Sequence, residues 1–97
     1  YLVTQDSIPD IGNLDMWLEV NGDRKQDGST STMIFDVATI VSYMSEFCEL
    51  LPGDLINTGT PPGVGAGMTP PQWLHIGDEV TLGISELGEQ RQKVVAL

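Results

Sequence analysis

Positive charge is scarce in this sequence. Its 97 residues include four Lys and Arg side chains against 14 Asp and Glu side chains, for a formal net charge of -10 at pH 7. Nucleic acids and anionic membrane surfaces attract clustered basic side chains, so this composition argues against both as partners. An anionic substrate would also be repelled unless positive charge were supplied from elsewhere.

Cysteine and long apolar runs are scarce too. Cys48 is the single cysteine, which excludes an intramolecular disulfide and predicts a reducing, cytoplasmic compartment. It falls on the apolar face of a predicted helix, where we expect a buried thiol rather than a nucleophile. No apolar run reaches the length that a membrane-spanning helix needs. The sequence opens on Tyr1, which we interpret as a sign of a processed or incomplete product.

What is present predicts one small domain of the α+β class that is mostly β. Hydrophobic residues make up 40% of the chain, which is ordinary for a globular protein. Residues 14–20 alternate as a strand with one apolar face, and Asn21-Gly22 after them is a strong hairpin signal. Further strands are predicted at residues 23–26, 55–58, 79–84 and 90–95, with a turn at Asp27-Gly28.

One amphipathic helix is predicted over residues 37–49. Asp36 precedes it as an N-cap, and Pro52-Gly53 lies beyond its end. Apolar residues recur at helical spacing along it: Val37, Ile40, Val41, Met44, Phe47 and Cys48. The phrases LPGDLI (51–56) and HIGDEV (75–80) share a Gly-Asp turn that leads into a strand, so we expect the same turn chemistry twice.

The segment NTGTPPGVGAG, residues 57–67, is uncharged and rich in glycine and proline. It lacks the lysine of a phosphate-binding P-loop and the strand–helix context of a dinucleotide fingerprint, so neither interpretation holds. The amides of Gly59 and Thr60, with the hydroxyls of Thr58 and Thr60, could hold a carboxylate without any side-chain charge. Composition alone nevertheless favours a structural turn whose threonines satisfy local backbone groups.

Residues 51–65, LPGDLINTGTPPGVG, closely resemble the C-terminal signature of the fumarylacetoacetate hydrolase family. Phrases at residues 2–9, 20–22, 26–30 and 32–35 agree with it in the same order, and LGEQRQ at 87–92 resembles the bacterial diketo-deoxy-sugar-acid hydrolases. The resemblance covers essentially the whole chain. It implies a distorted β-barrel of mixed sheets, and it identifies residues 1–97 as the C-terminal part of a catalytic domain.

The resemblance also implies a chemistry. Such enzymes use Mg²⁺ or Mn²⁺ to chelate the oxo and carboxylate oxygens of a 2-oxo acid substrate, and a His–Glu pair to activate water. A C–C bond of a 2,4-diketo acid breaks and pyruvate leaves. Relatives include decarboxylases, isomerases and ureidoglycolate lyases, and family members usually form homodimers. A non-catalytic module that binds small carboxylates remains an alternative interpretation.

By position, Thr60 matches the family threonine that binds the substrate carboxylate. Gly59 would add its amide, and Thr58 is a weaker candidate because its side chain could point into strand packing. With the resemblance, the substrate-binding interpretation of Thr60 replaces the structural one. The loop is uncharged, on this interpretation, because the metal supplies the charge while hydroxyl and amides supply direction.

The family's metal ligands, its catalytic His–Glu pair and its substrate lysine have no match in this sequence. We therefore expect the metal ligands outside this chain, and we expect the 97 residues alone to be inactive. His75 is predicted to lie on the surface, and Asp54 and Asp78 to form turns. The acidic residues Glu46, Glu49, Glu86 and Glu89 are predicted to be solvated or capping groups. Trp17 and Trp73 are predicted to be packing residues, and residues 33–35 core rather than dimer interface.

Overall fold

The computed structural model describes residues 2–97 as one open, four-stranded antiparallel sheet with a single α-helix. The strands are β1 (Asp15–Val20), β2 (Asp23–Ser29), β3 (Glu79–Ile84) and β4 (Gly88–Lys93), and the helix is α1 (Val37–Ser45). Their order in the sheet is β2-β1-β3-β4, so β2 and β4 are its edges. The predicted α+β class is confirmed, whereas every pair in this sheet is antiparallel and these residues do not close into a barrel.

The β1–β2 hairpin turns at Asn21-Gly22, as predicted. Asn21 and Gly22 have φ values of 54° and 84°, the left-handed pair that a two-residue hairpin turn requires. The ladder runs from Val20 opposite Asp23 to Asp15 opposite Ser29, so β2 extends beyond the predicted range 23–26. The turn predicted at Asp27-Gly28 is wrong, because both residues pair with β1.

The two Gly-Asp phrases form the same turn, as predicted. In the first, the Leu51 amide donates to Asp54 Oδ2 at 2.8 Å, and the Asp54 amide donates to the Leu51 carbonyl at 3.1 Å. In the second, the His75 amide donates to Asp78 Oδ2 at 2.7 Å, and the Asp78 amide to the His75 carbonyl at 3.0 Å. The glycine before each aspartate has a φ near +100°. The aspartates are therefore turn formers.

Helix α1 begins where the sequence predicts and ends earlier. Asp36 caps it, with Oδ1 accepting from the Thr39 amide at 2.7 Å. After Ser45 the amides of Glu46 and Phe47 bond to carbonyls three residues back, which tightens the last turn and ends the α-helix before the predicted residue 49.

Two predicted strands differ from the structure. Residues 55–58 form no strand, because they share no ladder with any strand of the described residues. The last strand is Gly88–Lys93 rather than 90–95, since Gly88 already pairs with Ile84 across the hairpin. Gly88 has a φ of 91°, which lets the chain leave the hairpin turn directly into the ladder.

The apolar face of the sheet is built by alternate residues of the two central strands. Met16, Leu18 and Val20 of β1 pair with Ile84, Leu82 and Val80 of β3, so their side chains share one face. Trp17 lies on the opposite face, across Gly83, with the Arg24 guanidinium 4.7 Å from its ring. Trp17 is thus a packing residue, as predicted.

Little of the apolar surface is enclosed within these residues. Leu14, at 6% exposure, is the one large apolar side chain buried in the described part of the chain. Cys48 is exposed, so the predicted buried thiol is wrong: the helix ends before it, and nothing described packs over it. The prediction that residues 33–35 form core is also wrong, because Ile34 is 92% exposed and Phe35 is exposed too.

The molecule is correspondingly extended. Its radius of gyration is 15.7 Å, where a compact chain of this length has about 12.5 Å. Its accessible surface is 7721 Å², against roughly 5,400 Å² for a compact monomer of the same mass. None of the described helices is long and apolar enough to cross a membrane.

Candidate functional site

The glycine- and proline-rich loop at residues 57–67 lies against β2. Pro61 packs on Gly28, where an added Cβ would lie 2.8 Å from the Pro61 Cβ. Gly63 lies on the Lys25 carbonyl so closely that no side chain fits there, and its φ of 110° is the left-handed backbone that favours glycine. Between these two contacts, Gln26 Nε2 donates to Thr60 Oγ1 at 2.8 Å and to the Pro61 carbonyl at 2.6 Å.

This loop forms one wall of a cleft of about 410 Å³. The other wall comes from residues 29–35 and from Ile40 of α1, and Met16 contributes from the sheet. Thr58, Gly59 and Thr60, the three predicted substrate-binding residues, all line this cleft. Every residue that lines it is uncharged, so an anion bound here would depend on hydrogen-bond donors from this chain and on positive charge from elsewhere.

Hydroxyls on the two walls differ in their bonding. Thr30 accepts from the Leu14 amide and donates to the Ile11 carbonyl, and Thr32 donates to the Ser29 carbonyl. These groups support the backbone of the segment that links β2 to α1. Across the cleft, Thr60 Oγ1 accepts from Gln26 and donates to no acceptor among residues 2–97.

The amides at the corner of the loop are also uncommitted. Within the described residues, the Gly59 and Thr60 amides donate to no backbone or side-chain acceptor. Gly59 has a φ of 109°, and an added Cβ there would meet nothing within 4 Å. An open, left-handed glycine beside free donors is compatible with a ligand that approaches the backbone closely.

A divalent metal does not fit among these residues. In residues 2–97 no three His, Cys, Asp or Glu side chains lie together as a metal site would need. The cleft lining offers hydroxyls and backbone groups but no carboxylate or imidazole. A metal bound near this cleft would therefore have to be held by other residues.

His75 and Trp73 lie away from the cleft. The His75 side chain is exposed, as predicted, with Nδ1 3.8 Å from Asp78 Oδ2. The His75 amide and the Asn21 side chain, which both donate to Asp78, hold the pKa of that carboxyl below its ordinary value of 3.8. Trp73 is exposed and lines a second, apolar cleft of about 500 Å³ over Leu18 and Val80, so it packs less than predicted.

Sequence reasoning did not single out Gln26 as a site residue. What distinguishes Gln26 is a polar side chain on the apolar face of the sheet, opposite Leu18. A buried amide needs hydrogen-bond partners, and those partners proved to be in the loop. At 9% exposure, Gln26 is the one polar side chain buried in the described part of the chain.

Comparison with known proteins identifies a family. Residues 1–95 match the family model described as fumarylacetoacetate (FAA) hydrolase, C-terminal. A protein named as a hydrolase from Burkholderia cenocepacia is 54% identical over 94 residues, which cover 96% of this chain and 33% of that protein. The chain thus spans about a third of the length of the curated relatives that it matches.

Solved structures share the fold. A fumarylacetoacetate hydrolase from Exiguobacterium antarcticum is 41% identical with a TM-score of 0.92, covering 98% of this chain and 34% of that one. A maleylpyruvate hydrolase from Sphingobium sp. SYK-6, in complex with manganese(II) and pyruvate, is 36% identical with a TM-score of 0.86, covering 97% of this chain and 33% of that one. The predicted resemblance is confirmed: the chain belongs to the fumarylacetoacetate hydrolase family.

Proposed function

We propose that this chain is the C-terminal part of a divalent-metal-dependent hydrolase. The enzyme cleaves a C–C bond of a 2,4-diketo acid of the acylpyruvate type, for example a 2,4-diketo-3-deoxy sugar acid. The products are pyruvate and a second acid. The observation that carries this proposal is the uncharged cleft in which Thr60 and Gly59 present uncommitted donors. The manganese and pyruvate in the related maleylpyruvate hydrolase support the same chemistry.

Residues of this chain bind and orient the substrate in the proposal. A substrate carboxylate accepts from the Thr60 hydroxyl and from the Gly59 amide, which fixes the oxo-acid end of the molecule in the cleft. Thr58, which makes no side-chain hydrogen bond with the described residues, is a second and weaker hydroxyl donor. Hydrogen bonds to a charged group are roughly twice as strong as neutral ones, so donors alone give direction and useful affinity.

In this proposal the metal, Mg²⁺ or Mn²⁺, is bound by residues outside this chain. The described residues do not form a site for a divalent ion. They also do not supply the catalytic His–Glu pair, since His75 lies on the surface. The 97 residues by themselves are accordingly proposed to be inactive, and active as part of the full-length enzyme. The complete domain would close the open edges of the sheet into the family's barrel, and the cytoplasmic homodimer remains a prediction.

Thr60→Val in the full-length enzyme tests this function. With acetylpyruvate and Mg²⁺ or Mn²⁺, we expect release of pyruvate and acetate by the wild type. The variant loses a charge-assisted hydrogen bond, so kcat/KM should fall on the order of 10- to 100-fold. Thr81→Val is the matched control, because Thr81 pairs with Glu19 and faces away from the loop.

The products separate the other members of the family. Carbon dioxide would indicate a decarboxylase, a rearranged acid an isomerase, and glyoxylate with urea from ureidoglycolate a lyase. A wild type that binds pyruvate but turns over none of these substrates would indicate a carboxylate-binding module. Each of these results would overturn the proposed hydrolysis.

A further inference from the structure

Gln26 occupies an unusual place for a polar side chain. It lies on the apolar face of the sheet, opposite Leu18, next to an irregularity where the β1–β2 register shifts between Leu18 and Glu19. Lys25 has no partner in this ladder, so the register shift brings Gln26 to the position that faces the loop. Burial without partners would cost free energy, and both amide hydrogens find acceptors in the loop.

The orientation of the Gln26 amide follows from Pro61. A proline has no N–H, and its carbonyl oxygen can only accept. The Gln26 atom 2.6 Å from that oxygen must therefore be the amide nitrogen, since two oxygens would repel each other there. The same nitrogen lies 2.8 Å from Thr60 Oγ1, so Gln26 is the donor and Thr60 the acceptor in that bond.

This bond determines what the Thr60 hydroxyl can do. A hydroxyl has one hydrogen, and when its oxygen accepts from Gln26 that hydrogen is directed elsewhere. No acceptor for it exists among residues 2–97, and Thr60 lines the cleft. A carboxylate has no hydrogen to give and needs a donor, which is the role left to Thr60.

We propose that Gln26 is a positioning residue, which holds the Thr60 hydroxyl as a hydrogen-bond donor to the carboxylate of the substrate. This inference rests on the proposed function. The packing of Pro61 on Gly28 and of Gly63 on Lys25 keeps the loop at the distance that this bond requires. Gln26 touches Thr60 and not the substrate, so it acts on substrate binding through the polarity of one hydroxyl.

Gln26→Glu reverses the hydrogen bond while nearly preserving shape. At neutral pH the introduced carboxylate accepts from Thr60 and turns its hydrogen away from the cleft. We expect the KM for acetylpyruvate and the inhibition constant for pyruvate to rise on the order of 10- to 100-fold in the full-length enzyme, with a smaller change in kcat. Gln26→Met, which has similar size and no donor, should give an intermediate loss.

Lowering the pH distinguishes polarity from simple damage. The introduced carboxyl faces the Pro61 carbonyl, which raises its pKa. Protonation below that pKa supplies one O–H where the amide had two N–H groups, so Thr60 shares this donor with the Pro61 carbonyl. The KM of Gln26→Glu should then fall part of the way toward that of wild type as pH falls, while Gln26→Met shows no such recovery. The charged residues next to position 26 are Lys25 and Asp27 on β2. Leu18 of β1 lies opposite it, and the loop at residues 57–67 has no titratable side chain.

Gln92→Glu on β4 is the charge control, because the Gln92 side chain is exposed and bonds only to Gln90 within the described residues. It should behave as wild type. In a Thr60→Val background, Gln26→Glu should add little, since the group through which it acts is gone. If Gln26→Glu does not fold, Gln26→Met in the wild-type and Thr60→Val backgrounds tests whether Gln26 acts through Thr60.

An active wild type with unaffected Gln26 variants, or losses that multiply with Thr60→Val, would overturn the positioning role. So would an equal loss in Gln26→Glu and Gln26→Met at every pH. A wild type that does not cleave acetylpyruvate with either metal would instead overturn the proposed function. Pyruvate binding then still tests whether Gln26 directs Thr60 toward a carboxylate.

Discussion

At the scale of single residues, hydrogen-bond direction determines the properties of the site. The cleft has no charged lining, so its chemistry depends on which groups donate and which accept. Gln26 and Asp78 both gather several partners, Gln26 as a double donor and Asp78 as a multiple acceptor. Asn21 links the β1–β2 turn to β3, since its side chain donates to Asp78 and accepts from the Glu79 amide.

Asp78 should make stability depend on pH. Its folded-state pKa lies below 3.8, so its contribution is fully present above that value and is lost as pH falls through the lower folded pKa. Asp78→Asn should therefore lower the melting temperature of the full-length enzyme at neutral pH, and the difference from wild type should shrink in acid. Asp23→Asn is the control, because Asp23 is exposed at the start of β2, opposite Val20. Equal effects of both variants would contradict the prediction.

At the scale of elements, the site is a contact between a strand and a loop. Pro61 of the loop packs on β2 at Gly28, which leaves room for its ring, and its carbonyl accepts a hydrogen bond from Gln26. The phrase at residues 26–30, which agrees with the family resemblance, therefore has a physical role. It receives the loop that carries Thr60.

A glycine series measures this contact. Gly63→Ala combines a left-handed φ with a collision on the Lys25 backbone, Gly59→Ala has the left-handed φ in open space, and Gly67→Ala has neither problem. We expect destabilisation in that order: several kcal/mol for Gly63→Ala, about 1 kcal/mol for Gly59→Ala and close to none for Gly67→Ala. Urea denaturation of the full-length enzyme measures it. A Gly63→Ala variant as stable as Gly67→Ala would show that the loop does not lie on β2.

At the scale of the whole molecule, the described residues form a scaffold with an incomplete core. Among residues 2–97, Leu14 is the one large apolar side chain that is buried, and the accessible surface exceeds that of a compact monomer by roughly 2,300 Å². Hydrophobic burial is the main stabilising term in folding, so these residues need a covering surface. The match to about a third of each relative is consistent with that need.

The 97 residues expressed alone should accordingly unfold without a sharp transition. We expect a broad melt, binding of a hydrophobic dye and no turnover of acetylpyruvate, each compared with the full-length enzyme. A cooperative transition with an enthalpy of about 60–80 kcal/mol, normal for a compact domain of this length, would contradict this prediction. Turnover by the isolated chain would contradict the proposed location of the metal site.

Local chemistry made several features predictable from the sequence by itself. The Asn21-Gly22 turn, the Asp36 cap and the paired Gly-Asp turns depend on neighbouring residues alone, and each was confirmed. Strand β3 and the start of α1 follow from periodicity in the same way. The order of short phrases along the chain also predicted the family, which was confirmed.

Only the tertiary structure decided the features that depend on distant partners. Residues 55–58 look like a strand but pair with no strand of the described residues, and Cys48 and Ile34 look like core but are exposed among residues 2–97. The bond from Gln26 to Thr60 joins positions 34 residues apart, so no local pattern could reveal it. Turns and caps are satisfied within a few residues, whereas burial and donor direction depend on what another part of the chain brings into contact.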